Sequence, residues 1–255
     1  MIIMGKQVAS QVYVRLKSNR QLSLGILIAG SDSVTDSFVR AKERAAAQLN
    51  VIVERETVPG AATTDDALAA LARLAEKTDG VIVQLPLPLN MDTERVLAAI
   101  PPEKDVDGIS REPRVLPPVA GALREILRVA NVHVPGKRAV VVGSGRLVGA
   151  PCAKLLASLG ADVTVLNKGD SLDALQHADI IVSGAGQPGM ITPSHIKEGV
   201  VLVDAGTSES SGKVVGDADP TCADKASLFT PVPGGVGPIA VAMIFENLYT
   251  LVAQS

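Results

Sequence analysis

Aromatic side chains are nearly missing from this sequence: Trp is absent, and aromatics make up 2% of the residues. Protein surfaces that bind single-stranded nucleic acid need aromatic faces for stacking and clustered cations for the phosphates. Here Lys and Arg number 24 against 27 Asp and Glu, the formal net charge is −3, and no basic run occurs. A nucleic-acid partner is therefore not expected. Cysteine is equally scarce, with only Cys152 and Cys222, too few for a disulfide framework and without metal-ligand spacing. Both are expected as buried thiols, and no metal site is expected. No apolar run reaches the roughly 18 residues that a membrane span requires. The opening Met1-Ile2-Ile3-Met4 is too short for the apolar core of a secretory signal. These absences lead to the expectation of a cytoplasmic protein with no membrane partner.

What is present is a globular composition, 47% hydrophobic and 20% charged over 255 residues, enough for two modest domains. The apolar run Leu24–Gly30 is followed by helical spacing over Asp36–Leu49. Strand, helix and strand patterns then recur at Val51–Glu54, Ala67–Glu76 and Gly80–Gln84. After a helix near Gly121–Ala130, strands are expected at Arg138–Val142, Asp162–Leu166, Ile180–Ser183, Val200–Asp204 and Leu228–Thr230, with a closing helix over Ile239–Val252. This alternation predicts an α/β protein with mostly parallel sheets covered by helices.

The strand Ala139-Val140-Val141-Val142 runs into Gly143-Ser144-Gly145-Arg146-Leu147-Val148-Gly149 and then into a helical pattern over Pro151–Leu159. A strand, a glycine turn and a helix N-terminus suit a pyrophosphate, because bare backbone allows close approach and the helix offers unpaired N–H groups. The third glycine falls one place late for a strict G-x-G-x-x-G. NAD recognition usually places a carboxylate at the end of the next strand, where it accepts ribose hydroxyls. That position reads Leu166-Asn167-Lys168. Lys168 and Arg146 favour the 2′-phosphate of NADP, and the nearby Asp170 leaves NAD open.

Three further blocks restrict the backbone. Pro231-Val232-Pro233-Gly234-Gly235-Val236-Gly237-Pro238 holds three prolines and three glycines, and so describes a fixed loop that is either a rigid connector or a bed for a ligand. Upstream lie Val83-Gln84-Leu85-Pro86-Leu87-Pro88 and Pro102-Glu103-Lys104-Asp105-Val106-Asp107-Gly108. With these blocks in this order, the chain resembles the methylenetetrahydrofolate dehydrogenase/methenyltetrahydrofolate cyclohydrolase family over nearly its whole length.

The resemblance implies two αβα domains. Residues 1–117 with 239–255 would form a folate-binding catalytic domain, and residues 118–238 a Rossmann-like NAD(P)-binding domain, the C-terminal helix returning to the first. It implies oxidation of 5,10-methylenetetrahydrofolate to the methenyl compound with NADP, then hydrolysis to 10-formyltetrahydrofolate, in a homodimer. Lys42 would be the catalytic residue of the hydrolysis, Gln84 its orienting partner through the amide oxygen, and Asp107 the carboxylate on the pterin. Asp105 is read as stabilising its turn. Phe38, Leu85, Pro86, Pro233, Gly234 and Gly235 would line the substrate site. Gly143, Ser144, Gly145 and Arg146 would hold the phosphates, with Lys168 beside them and the backbone near Thr207 on the carboxamide.

Some positions depart from the family pattern. Phe38 replaces a tyrosine one helical turn before Lys42, the stretch between Gly108 and Pro117 is short, and Ile239-Ala240 replaces Met-Thr. A dehydrogenase with little cyclohydrolase activity and a non-catalytic folate- or nucleotide-binding protein therefore stay open at this point.

Overall fold

Apolar alternation along short strands, with amphipathic helices between them, folds both halves of this chain into parallel sheets. The computed structural model describes residues 1–16, 18–30, 33–210 and 213–254. They form two compact units, one of Val12–Pro118 with Val241–Ser255 and the other of Met1–Gln11 with Val119–Ala240.

In the unit that begins at Val12, β1 (Ser23–Ala29), α2 (Ser33–Gln48), β2 (Ile52–Val58), α3 (Thr64–Lys77) and β3 (Gly80–Val83) follow in sequence, ahead of a short α4 (Thr93–Ala98). The strands are all parallel, in the order β2-β1-β3. The side-chain period of two sends Leu24, Ile26, Ile28 and Ile82 to one face. Leu27, Val81 and Val83 go to the other, under Ala67, Leu71 and Leu74 of α3. The first face is covered by Val39, Ala45 and Ala46 of α2 and by Phe245, Leu248 and Leu251 of the C-terminal helix α7 (Val236–Ala253). Placing β1 centrally makes the crossovers diverge at the C-terminal ends of β1 and β3, the edge where open α/β sheets bind ligands.

In the other unit, α5 (Pro118–Val129) precedes β4 (Arg138–Val142), α6 (Gly149–Ser158), β5 (Asp162–Leu166), β6 (Ile180–Ser183), β7 (Val201–Asp204) and β10 (Leu228–Phe229). The five parallel strands are ordered β10-β7-β6-β4-β5. Counted from β4, this is the doubly wound order 2-1-3-4-5, whose switch point lies between β4 and β6. A two-stranded antiparallel ribbon, β8 (Ser208–Ser210) and β9 (Lys213–Val215), follows β7.

The first residues differ in place from the expectation that residues 1–117 go together. Ile3 N donates to Phe229 O at 2.9 Å, Phe229 N donates to Met1 O at 2.9 Å, and Gly5 N donates to Gly234 O at 2.8 Å. Backbone pairing to β10 therefore groups residues 1–11 with the second sheet. The helix α1 (Gly5–Arg15) went unsignalled in the sequence because β-branched valines and a tyrosine interrupt its helix-favouring residues.

The C-terminal helix begins at Val236, three residues before the expected Ile239, because Pro238 sits in its first turn, where the missing N–H costs nothing. Val236–Ala253 also corrects the expectation about apolar runs: by length and composition this helix is sufficient to cross a membrane. Its Phe245, Leu248 and Leu251 are nonetheless packed in the core of the unit that begins at Val12.

Candidate active site

β3 is buried at every position and delivers Gln84 at its C-terminal end. Gln84 Nε2 donates to Leu85 O at 2.9 Å, which fixes the amide so that Oε1 is left as an acceptor. Lys42, on the α2 helix that follows β1, is the donor to it: its Nζ donates to Gln84 Oε1 at 2.7 Å. Both side chains are 8% exposed, so the helix carries its ammonium into a desolvated place at the ligand edge of the sheet. Burial lowers the Lys42 pKa, and the negative charge of Asp107 opposes that shift.

Asp107 completes the cluster. Burial pushes its carboxyl up to about 6; Lys42 pulls against that, and Asp105 adds to it. The segment that carries both aspartates lies beside β3, where Val81 N donates to Lys104 O at 2.7 Å. Asp105 is fully buried and its Oδ2 accepts from Ser110 N at 2.6 Å, which gives it the turn-stabilising place expected. The short 108–117 stretch closes tightly: a Cβ on Gly108 (φ +61°) would lie 2.7 Å from Val115 O. Asn247 of α7, which motif reasoning missed, donates through Nδ2 to Val106 O at 2.8 Å and to Leu116 O at 2.9 Å. It thus ties together the two ends of the Asp107 loop.

Phe38 lies one turn before Lys42 and is 45% exposed. Leu85 is half-buried and Pro86 exposed, with a cis bond between them.

The remaining residues of interest belong to the second unit. Pro233 follows a cis peptide bond, and Gly235 N donates to Pro231 O at 2.7 Å. Gly235 carries no side chain for a spatial reason, since a Cβ would lie 2.7 Å from Pro231 O.

At the switch point of that unit, Gly143 adopts φ +95° at the end of β4. A Cβ on Gly149 would stand 1.8 Å from Gly143 O, and one on Gly143 would stand 2.8 Å from Gly184 O. The turn therefore packs, backbone on backbone, against the start of α6 and the loop after β6. A Cβ on Gly145 would meet nothing within 4 Å, so this backbone faces open space. α6 starts without a side-chain cap at Val148; Ala150 N donates to Gly145 O at 3.1 Å and Pro151 has no N–H, so the turn folds back on the helix start through its own backbone. These features fit a dinucleotide pyrophosphate. Ser144, Arg146, Lys168 and Thr207 are exposed. Asp170, which left NAD open, uses Oδ2 to accept from Asn167 N at 2.7 Å. Cys152 and Cys222 are both buried, and burial pushes their thiols up to about 12 and about 11, far from a reactive thiolate.

Asp204 and Asp217 were missed as a pair. They lie 1% and 0% exposed at the ends of β7 and β9. Their only signal in the sequence is a glycine next to or near each aspartate, as Asp204-Ala205-Gly206 and Gly216-Asp217.

Two family models match the chain: residues 3–107 match the tetrahydrofolate dehydrogenase/cyclohydrolase catalytic domain, and residues 117–255 the NAD(P)-binding domain of the same name. The bifunctional protein FolD of Staphylococcus aureus is 36% identical, over 99% of this chain and 96% of that protein. A structure of Trypanosoma brucei N5,N10-methylenetetrahydrofolate dehydrogenase-cyclohydrolase complexed with NADP cofactor and inhibitor superposes with a TM-score of 0.93 at 33% identity, covering 100% of this chain and 97% of that one. The bifunctional FolD of Campylobacter jejuni superposes with a TM-score of 0.92 at 28% identity, covering 100% and 99%.

Proposed function

The chain belongs to the tetrahydrofolate dehydrogenase/cyclohydrolase family, and on that premise we propose how its residues divide the two reactions. It is a bifunctional enzyme of tetrahydrofolate derivatives, oxidising 5,10-methylenetetrahydrofolate to the methenyl compound and hydrolysing this to 10-formyltetrahydrofolate. The unit that begins at Val12 supplies the catalytic residues Lys42, Gln84 and Asp107, and the other unit holds the dinucleotide. The observation that carries this reading is the buried 2.7 Å contact from Lys42 Nζ to Gln84 Oε1, beside an aspartate whose carboxyl is raised to about 6.

For the hydrolysis, burial raises the fraction of Lys42 that is neutral and able to take a proton. Gln84 holds the amine in one orientation. Water attacks the electrophilic methenyl carbon and gives one proton to Lys42 Nζ; the bond from that carbon to N5 then breaks as the remaining hydroxyl proton passes to N5 and the oxygen becomes the carbonyl of the formyl group on N10. Asp107 accepts hydrogen bonds from the 2-amino-4-oxopyrimidine edge of the pterin, as a carboxylate accepts a guanidinium fork. Phe38, Leu85, Pro86, Pro233, Gly234 and Gly235 serve the substrate.

For the oxidation, bound NADP would supply the hydride acceptor. Gly143, Ser144, Gly145 and the start of α6 hold the phosphates, Arg146 and Lys168 meet the 2′-phosphate, and the backbone near Thr207 orients the carboxamide. The chain's contribution here is orientation, since the cofactor and the folate nitrogens carry the electronic work. Support for NADP over NAD comes from the absence of a carboxylate at Leu166-Asn167-Lys168 and from the engagement of Asp170 with its own turn. Comparing kcat/KM for NADP and NAD in the wild type and in Arg146→Ala tests this: the substitution should lower the NADP value about tenfold and leave the NAD value unchanged.

The enzyme is further proposed to be a cytoplasmic homodimer without nucleic-acid or membrane partners. The net charge of −3 and the family resemblance support this, and sedimentation equilibrium checks the dimer.

A further inference from the structure

The loop after β6 and the segment after β7 border the switch point of the nucleotide-binding unit, and both are tied to one buried carboxylate. Asp217 Oδ2 accepts from Ser183 Oγ at 2.6 Å, from Ala185 N at 2.7 Å and from Gly186 N at 3.3 Å, while Oδ1 accepts from Gln187 N at 2.7 Å. Four donors on one carboxylate at 0% exposure fold the loop around it. The same loop begins at Gly184, whose carbonyl oxygen stands against Gly143 in the phosphate turn.

Asp217 is also interlocked with Asp204. A Cβ on Gly206 would lie 2.2 Å from Asp217 Cγ, and one on Gly216 would lie 2.1 Å from Asp204 Oδ2. Each aspartate thus packs on the glycine beside or near the other. Asp204 Oδ1 accepts from Gly206 N at 2.9 Å and Oδ2 from Ala218 N at 2.8 Å, and Thr230 Oγ1 accepts from Asp204 N at 2.7 Å. The exchange couples the Gly206–Thr207 backbone to the Ala185–Gln187 loop, so neither can shift without taking hydrogen bonds from a buried carboxylate.

We infer that Asp217, interlocked with Asp204, is a positioning residue for dinucleotide binding, setting the Ala185–Gln187 loop and the Gly206–Thr207 segment as one rigid border of the crevice. Its carboxylate fills the concavity of N–H groups from within, so that these donors shape the loop and do not bind phosphate. The inference rests on the reading of this unit as the dinucleotide site.

The test is titration of NADPH fluorescence with wild-type enzyme, Asp217→Asn and Ser183→Ala, alongside hydrolysis of added methenyltetrahydrofolate without dinucleotide. Asparagine keeps the shape but turns one acceptor into a donor that faces N–H groups. Asp217→Asn should weaken NADPH binding about tenfold or more and raise KM for NADP more than it lowers kcat, with hydrolysis within about twofold of wild type. NADPH affinity within about twofold of wild type in the folded variant overturns the inference. Should Asp217→Asn not fold, Ser183→Ala decides in its place: weaker NADPH binding supports the inference, and unchanged binding overturns it. Failure of the wild type to bind NADPH would instead overturn the dinucleotide reading itself.

Discussion

Lys42 Nζ donates to Gln84 Oε1 over 2.7 Å, joining a helix and a strand end 42 positions apart in the chain. Because Gln84 Nε2 is already committed to Leu85 O, the amide cannot flip without losing both contacts, and the amine has one orientation. Lys42→Gln should lower methenyl hydrolysis by about 100-fold or more while oxidation persists, so that the methenyl product accumulates. Gln84→Ala should reduce hydrolysis by a smaller factor, about tenfold. Stopped-flow absorbance of the methenyl chromophore measures both.

Asp107 gives the reaction an acid limb. Its carboxyl stands at about 6, well above the 3.8 of an ordinary aspartate, so it is protonated over a pH range where most aspartates are charged. As pH falls through about 6, the carboxylate loses its acceptor capacity, and KM for the folate should rise. Above that value KM should be flat until the Lys42 amine titrates. Asp107→Asn should remove the acid limb and leave a uniformly weak KM, as read from the pH profile of kcat/KM.

Phe38 shares a helix face with Lys42 and is 45% exposed. A hydroxyl added at this solvent-accessible ring has room for a water or substrate partner. Phe38→Tyr should therefore raise methenyl hydrolysis by about two- to tenfold without altering NADP affinity. A rate equal to that of the wild type would show that the phenylalanine costs this enzyme nothing.

Gly149 has no space for a side chain, since a Cβ would stand 1.8 Å from Gly143 O. Gly149→Ala must separate α6 from the phosphate turn, so NADPH affinity should fall by about 100-fold with a lower melting temperature. Calorimetric melting with and without NADPH reads both effects; in the variant the stabilisation by NADPH should shrink.

Much of this was legible in the sequence, for physical reasons that differ by element. The buried strands β3, β4, β6 and β7 read directly, because an apolar run bounded by turn residues has few other interpretations. The block around Gln84 and the Asp105–Gly108 segment marked the catalytic unit through the family resemblance that they carry. α1 was hidden by valines that favour strands as much as helices. The placement of Met1–Gln11 depends on backbone pairing with Phe229, which leaves no trace in side-chain pattern. Asn247 and Asp217 were illegible for a similar reason: each acts on backbone groups far away in sequence, 141 positions away for Asn247 and Val106 and 32 for Asp217 and Ala185.

The central claim, two reactions with hydrolysis carried by Lys42, is tested most directly by following NADPH and methenyl absorbance together on one sample of purified enzyme with methylenetetrahydrofolate and NADP. NADPH should rise without methenyl accumulation, and added methenyltetrahydrofolate should be consumed faster than its spontaneous hydrolysis, with that excess lost in Lys42→Gln. Methenyl product accumulating in step with NADPH in the wild type, with hydrolysis at the spontaneous rate, would contradict it.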